Sequence, residues 1–368
     1  VFAAYLSRDK RFPSLLITSK EATPEWISSL NIINLAVGTS NFTCCQCNHI
    51  FRGDVVSCDR GITRKILERM IKAKVKHYFS LQQTLYARFC ASFSNWWLRT
   101  ESSSVEESHS DSLISFKKSL WWDKNDKEWH DEDGIPILVY AVIKNDIEIV
   151  RELLKIEKCR KTSLNNVLFR NGPLLEFGIP AKVYILYIAM GFANVQIVEM
   201  LLENGADPCV VDKNGFDPVM IASTLGRSQN IKLWLNRFPH WNINRGNSMN
   251  GSTALHCAVF LGQNKMDTVL ALVESGQANL NVLSSRGASL LSNAVASVDS
   301  NVDIVRYLLS NETLNYGVNY RRKPVTLKWK VVYTFARVLF QMNIVTSGIF
   351  ANLASDLGAT SLQYAVRR

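Results

Sequence analysis

The chain has 368 residues, 47% of them apolar, and a formal net charge of +10. That supports a substantial core and two or three domains. The charge is local: residues 60–99 carry nine Lys/Arg against Glu68, residues 319–368 carry eight against Asp356, and the remainder is acidic. A chain basic only in patches argues against general nucleic-acid binding.

At the N-terminus the first residues lack the long apolar core of a signal peptide. The chain begins on Val1 rather than Met, which reads as a fragment boundary. Cys44, Cys45, Cys47, Cys58 and Cys90 lie early, with Cys159, Cys209 and Cys257 scattered behind them. That is no regular disulfide framework, and it predicts an intracellular setting, cytoplasmic or nuclear. Cys44-x-x-Cys47 is half a zinc site, since both thiolates can reach one tetrahedral ion. The sequence offers no second ligand pair of comparable spacing, so no metal or other cofactor is assigned and Cys44 and Cys47 stand only as a candidate pair.

Residues 62–79 predict an amphipathic helix. Ile62, Ile66, Leu67, Met70, Ile71, Val75 and Tyr78 form its apolar stripe, and Arg64, Lys65, Arg69, Lys72 and Lys76 lie elsewhere. A membrane or calmodulin contact is one reading; a surface helix packed on its own domain is the preferred one. Residues 100–112 are polar and acidic without periodicity, the pattern of a linker. Trp121, Trp122 and Trp129 follow, placed to cover the open apolar side of whatever begins next.

From residue 131 the sequence repeats itself. Residues 134–154, 185–202, 218–222, 251–261 and 288–310 each offer a short apolar helix, a tight break and a second amphipathic helix or part of one. A small residue recurs at Ala141, Ala189, Ala222, Ala258, Ala294 and Ala365, at intervals of 48, 33, 36, 36 and 71. Small side chains there let neighbouring helices approach. Gly and Asn in residues 204–206 and 213–215 permit positive φ where helices end and loops turn. Ile197, Val198, Leu201 and Leu202 keep helical spacing toward a neighbouring unit.

Thr253-Ala254-Leu255-His256-Cys257-Ala258, with Pro136 and Pro218 heading related stretches and "IVEMLLENGADP" at 197–208, resembles the ankyrin-repeat family. The resemblance implies a mainly all-α solenoid of helix-turn-helix units with finger loops, preceded by a mostly helical N-terminal region. It divides the chain into a helical region at 1–99, a linker and Trp-rich cap at 100–130, and a repeat domain at 131–368. Against a period of about 33, the 48 interval predicts an insertion within about 156–183. The 71 interval predicts a degenerate repeat over about 319–351, with Pro324 in its turn and Trp329 near the alanine slot. The last repeat, ending at Arg368, reads as truncated before its second helix.

A rival resemblance, to the vacuolar-sorting type of Rab-GTPase exchange domain, rests on Asp133, Pro136, Tyr140 and Lys144. The second helix that follows at repeat spacing argues against it. No phosphate loop, nucleophile elbow or His-Glu motif appears in the sequence, so no catalytic residue is assigned.

The ankyrin resemblance implies a non-enzymatic scaffold or adaptor that binds a partner protein through a concave face and finger loops. The contact residues it suggests by position are Lys213, Asn214, Phe216, Asp217, Asn250, Ser252, Ser285 and Arg286. Pro136, Ala141, Ala189, Gly205, Ala222, His256, Ala258, Ala294 and Ala365 become structural positions, with His256 bonding between neighbouring turns. The basic segment of Arg321, Arg322, Lys323, Lys328 and Lys330 favours an acidic partner surface or an anionic membrane, or is simply solvated. The alternative function is recruitment of substrate for a ubiquitin ligase or Rab exchange factor, with the activity in residues 1–130 or outside the fragment.

Overall fold

A computed structural model of the chain describes residues 15–16, 25–26, 49–51, 53–55, 59–98, 112–122, 128–169, 174, 177, 179–260, 265–297, 302–311, 313–345 and 348–366. Among these the fold is mainly helical. Strand consists of two short antiparallel pairs, β1 (Leu15–Leu16) with β2 (Glu25–Trp26), and β3 (Ile50–Phe51) with β4 (Asp54–Val55). None of the described helices is long and apolar enough to cross a membrane. Cys44 and Cys47 lie outside the described residues. The chain forms two compact units, Val1–Pro208 and Cys209–Arg368.

The first unit begins with α1 (Asp59–Ser80), α2 (Thr84–Ser92), α3 (Ser94–Leu98) and α4 (Ser112–Ser119). Helix pairs follow: α5 (Ile137–Lys144) with α6 (Ile147–Lys155), the short α7 (Glu157–Ser163), then α8 (Ile185–Phe192) with α9 (Val195–Glu203). First helices pack on first helices, α5 on α8, and second helices on second, α6 on α9. In α1 the buried face is Leu67, Ile71, Lys74, Val75 and Tyr78, while Ile66 is exposed with Arg64, Lys65, Arg69, Lys72 and Lys76. Helices α2 and α3 pack on α5. Their Phe89, Phe93 and Trp97 recur at i, i+4 and i+8, one face of a helical run, and all three are fully buried. Phe89 meets Tyr140 at 5.1 Å between ring centres, and Phe93 meets Phe192 edge-on at 5.0 Å. These aromatics cover one apolar side of α5.

The second unit continues with α10 (Pro218–Thr224) and α11 (Ser228–Arg237), α12 (Ala254–Phe260) and α13 (Lys265–Val273), and α14 (Leu290–Ala296) and α15 (Val302–Ser310). Helix α10 packs on α12, α12 on α14, α11 on α13, and α13 on α15. The sequence ruler explains this stacking. Ala222, Ala258 and Ala294 are buried between first helices, as Ala141 and Ala189 are in the first unit; Ala365 is exposed.

Residues 319–351, read from sequence as a degenerate repeat, fold as one long helix, α16 (Leu327–Gln341), and part of α17 (Gly348–Asp356). This pair closes on itself around Tyr333, Ala336 and Leu353, with Trp329 packed against that cluster rather than in an alanine slot. The neighbour of α14 is instead α18 (Ser361–Val366). Trp329 is too large for a slot where two first helices approach closely, and α16 finds its apolar contact in α17.

Candidate partner-binding surface

The loops leading into each first helix share one construction. A backbone amide pairs with a carbonyl four or five residues on: Asp131 N to Ile135 O at 3.0 Å, Asp212 N to Phe216 O at 3.0 Å, Asn247 N to Ser252 O at 3.0 Å, and Ser284 N to Ala288 O at 3.1 Å. The same closure joins Leu168 N to Val183 O at 2.7 Å and Arg322 N to Ala359 O at 3.0 Å, across much longer excursions. The residue before each closing carbonyl is left-handed: Gly134, Gly215, Gly251, Gly287 and Gly358, with Lys182 in that conformation at φ +60°. After the closing carbonyls of Phe216, Ala288 and Ala359 comes a helix-capping side-chain oxygen, which satisfies an amide that the first turn leaves unpaired, whereas Pro136 and Tyr184 make no such cap. Asp217 accepts from Met220 N at 2.9 Å, Ser289 from Ser292 N at 3.2 Å, and Thr360 from Gln363 N at 3.3 Å.

In the second unit adjacent fingers are stitched by backbone bonds. Ser248 N donates to Asn214 O at 2.9 Å, Ser285 N to Asn250 O at 2.8 Å, and Val325 N to Ser285 O at 3.1 Å. Gly215 needs glycine twice over, because its φ is +78° and a Cβ would lie 2.7 Å from Ser248 N. Behind the fingers a second line of bonds uses asparagine amides in both directions. Asn244 accepts from Asn279 N at 2.8 Å and donates to Gln277 O at 2.7 Å; Asn281 accepts from Asn315 N at 2.7 Å and donates to Thr313 O at 2.7 Å. Such bidentate contacts fix the register of one loop against the next.

His256 is buried between turns. Thr253 Oγ1 lies 2.9 Å from Nδ1, and Ala288 O lies 3.2 Å from Nε2. The carbonyl can only accept, so Nε2 carries the proton and Nδ1 accepts from the threonine. Burial pushes the imidazole down to about 4 against the pull of the Ala288 carbonyl, and the Arg322 cation adds in the same direction as burial. A neutral, doubly bonded histidine between two repeats is a structural part.

The eight residues expected to contact a partner separate into three groups. Lys213 is exposed, and Asn214, Phe216 and Asn250 are partly exposed on neighbouring finger tips. Asp217 and Ser252 are buried. Asp217 spends its carboxylate on the α10 cap, and Ser252 gives its amide to Asn250 Oδ1 at 3.1 Å. Aligning Asp217 with Thr253 on the repeat would have marked it as a cap. Ser285 and Arg286 are partly buried and face inward: Ser285 Oγ packs on Gly251, where a Cβ would collide with it, while Arg286 lies 3.9 Å from Asp356 Oδ2 and 5.1 Å over the Trp329 ring. The outward set is therefore Lys213, Asn214 and Phe216, with Asn250 partly exposed while its Oδ1 is held by the Ser252 amide.

Two charged clusters escaped the sequence reading. Arg88, 2% exposed, donates through Nε to Leu120 O and through Nη2 to Trp121 O, both at 3.0 Å, and lies 3.9 Å from Asp131. Asp131 accepts from Tyr140 Oη at 2.5 Å and Ile135 N at 2.7 Å. Burial pushes this carboxyl up to about 6 against those hydrogen bonds and Arg88. The buried Arg88 thus ties α2 and the α4 end to the first finger. The second cluster is in the last finger, where Arg322 donates to Asp356 Oδ2 at 3.0 Å and Tyr364 Oη at 2.6 Å. The positions of the rival exchange-domain motif serve the repeat: Pro136 precedes α5 as its N-cap residue, Tyr140 is fully buried, and Lys144 lies 5.1 Å over the Phe116 ring.

A family model for ankyrin repeats, in three copies, matches residues 185–282 and again 220–322. Residues 185–322 are ankyrin repeats. Those repeats contain the outward finger residues and His256, and the same finger closure recurs outside them at residues 131–135, and at Ala359, where Thr360 also caps the helix that follows. Ankyrin repeats point to protein–protein interaction in general.

Proposed function

We propose that this chain is a non-enzymatic scaffold that binds a partner protein through the finger tips carrying Lys213, Asn214, Phe216 and Asn250. The observation that supports this most is the division of labour in the fingers. Backbone bonds and buried caps hold the loops in register, leaving Lys213, Asn214 and Phe216 outward, with Asn250 partly exposed beside them in the next finger, on a preorganised support, so little ordering cost attends binding. A partly exposed Phe216 beside the Lys213 cation suits a partner with an apolar spot rimmed by acid.

The test is substitution of Lys213, Asn214 and Phe216 together by alanine. Partner capture by the full chain is expected to fall while the melting temperature holds within the small range of surface changes. Undiminished capture by a folded variant removes this surface. Recruitment of a substrate to an enzyme is compatible with the same surface, but it draws on no separate observation.

A further inference from the structure

The last finger is the unusual one. Between Arg322 and Ala359, whose backbone atoms make the finger closure, the chain inserts the α16–α17 hairpin. The hairpin is held through its own cluster, the Arg322–Asp356–Tyr364 contacts and Arg286, which meets both Asp356 and the Trp329 ring. The opposite side of α16 is apolar and bare: Leu327 is 77% exposed, Val331 60%, Phe335 55%, Val338 45% and Met342 64%. At 100° per residue these five span about 80° of the helix circumference. Lys328 borders the strip on one side, and Lys330 and Arg337 lie beyond Thr334 and Gln341 on the other; all three cations are exposed. Residues 313–355 contain no carboxylate.

We propose that the hairpin lays this outer face of α16 on an anionic phospholipid surface. An apolar strip flanked by cations is the form of a helix that lies in the membrane interface, its large side chains among the acyl chains and its cations at the headgroups. The shape favours lipid over a protein helix. The depression on this face is lined by Lys330, Val331, Thr334, Phe335 and Val338, all on α16, so among the described residues no second element lines it as the other wall of a groove. A second copy of the chain would set like charges against each other. The inference uses a surface apart from Lys213, Asn214 and Phe216, and either can fail without the other.

The test is co-sedimentation of the full chain with phosphatidylcholine vesicles, with and without phosphatidylserine. Binding is expected only with phosphatidylserine, weakening as salt rises. Leu327→Asp and Phe335→Asp are each expected to abolish it with the melting temperature retained; Leu327, the more exposed, serves if the Phe335 change disturbs Phe350. Changing Lys328, Lys330 and Arg337 to Gln is expected to lower partitioning about a hundredfold, at about fivefold per cation. Lys72→Gln with Lys76→Gln on α1 is expected to leave it unchanged. Absence of binding by the wild-type chain overturns the proposal. So does binding lost in the α1 variant and kept in the α16 variants. Self-association abolished by Leu327→Asp, without vesicle binding, would make a second copy the occupant and also overturn it.

Discussion

Replacing His256 by Gln tests whether the stack is held by neutral hydrogen-bonded links between repeats. A glutamine amide can still donate to the Ala288 carbonyl, but it loses the Thr253 contact and the ring packing, so the expected cost near neutrality is about 1–2 kcal/mol. The sharper consequence is in pH. The imidazole is pushed from 6.5 down to about 4 in the fold, chiefly by burial. The unfolded chain therefore binds a proton at pH values where the folded chain does not. The stabilisation is present above pH 6.5 and is lost as pH falls toward 4. Between pH 7 and 5 the loss from this one group is about 2 kcal/mol. Equilibrium urea unfolding of both proteins at pH 7 and 5 measures it. The wild type is expected to lose about 2 kcal/mol more than His256→Gln over that interval. Asp131 titrates with the opposite sign, its raised value favouring the fold at low pH, and cancels in the difference. Equal pH slopes in the two proteins would refute a neutral, buried link.

Gly287→Ala is expected to destabilise the second unit by about 2–3 kcal/mol, because φ is +75° and the new Cβ collides with the Lys323 carbonyl oxygen. Gly276→Ala, at φ +72° with open space around it, is expected to cost about 1 kcal/mol; thermal unfolding compares the two. Arg88→Met is expected to lower stability by about 3–5 kcal/mol by stranding the buried Leu120 carbonyl, the partly buried Trp121 carbonyl and Asp131. Adding Asp131→Asn to Arg88→Met is expected to recover part of that loss, which a double-mutant cycle in urea reads directly.

Helix content and the repeat were legible in the sequence because each rests on local pattern. The alanine ruler marks close approach, and glycine marks left-handed turns. Lys182 hid one such turn because a lysine gives no signal of positive φ. The 71-residue interval misled because length alone cannot distinguish another repeat from a hairpin inserted into a finger. The difference lies in whether α14 meets α16 or α18. Finger contacts were legible by position but not by direction: Asp217 and Arg286 sit on the same loops as Lys213, and only packing shows which side chains turn inward. The aromatic cap was readable in the i, i+4, i+8 spacing of Phe89, Phe93 and Trp97, had that run been taken with the first repeat rather than alone.

The central claim, that the finger tips engage a protein partner, is tested most directly by site-specific photo-crosslinking on the intact chain. A photoreactive residue at position 213 is expected to give a discrete adduct that disappears when Asn214 and Phe216 are changed to alanine. The same residue at position 232, an exposed lysine on α11, is expected to give none. Adducts of equal yield at both positions, or at 232 alone, would contradict the account.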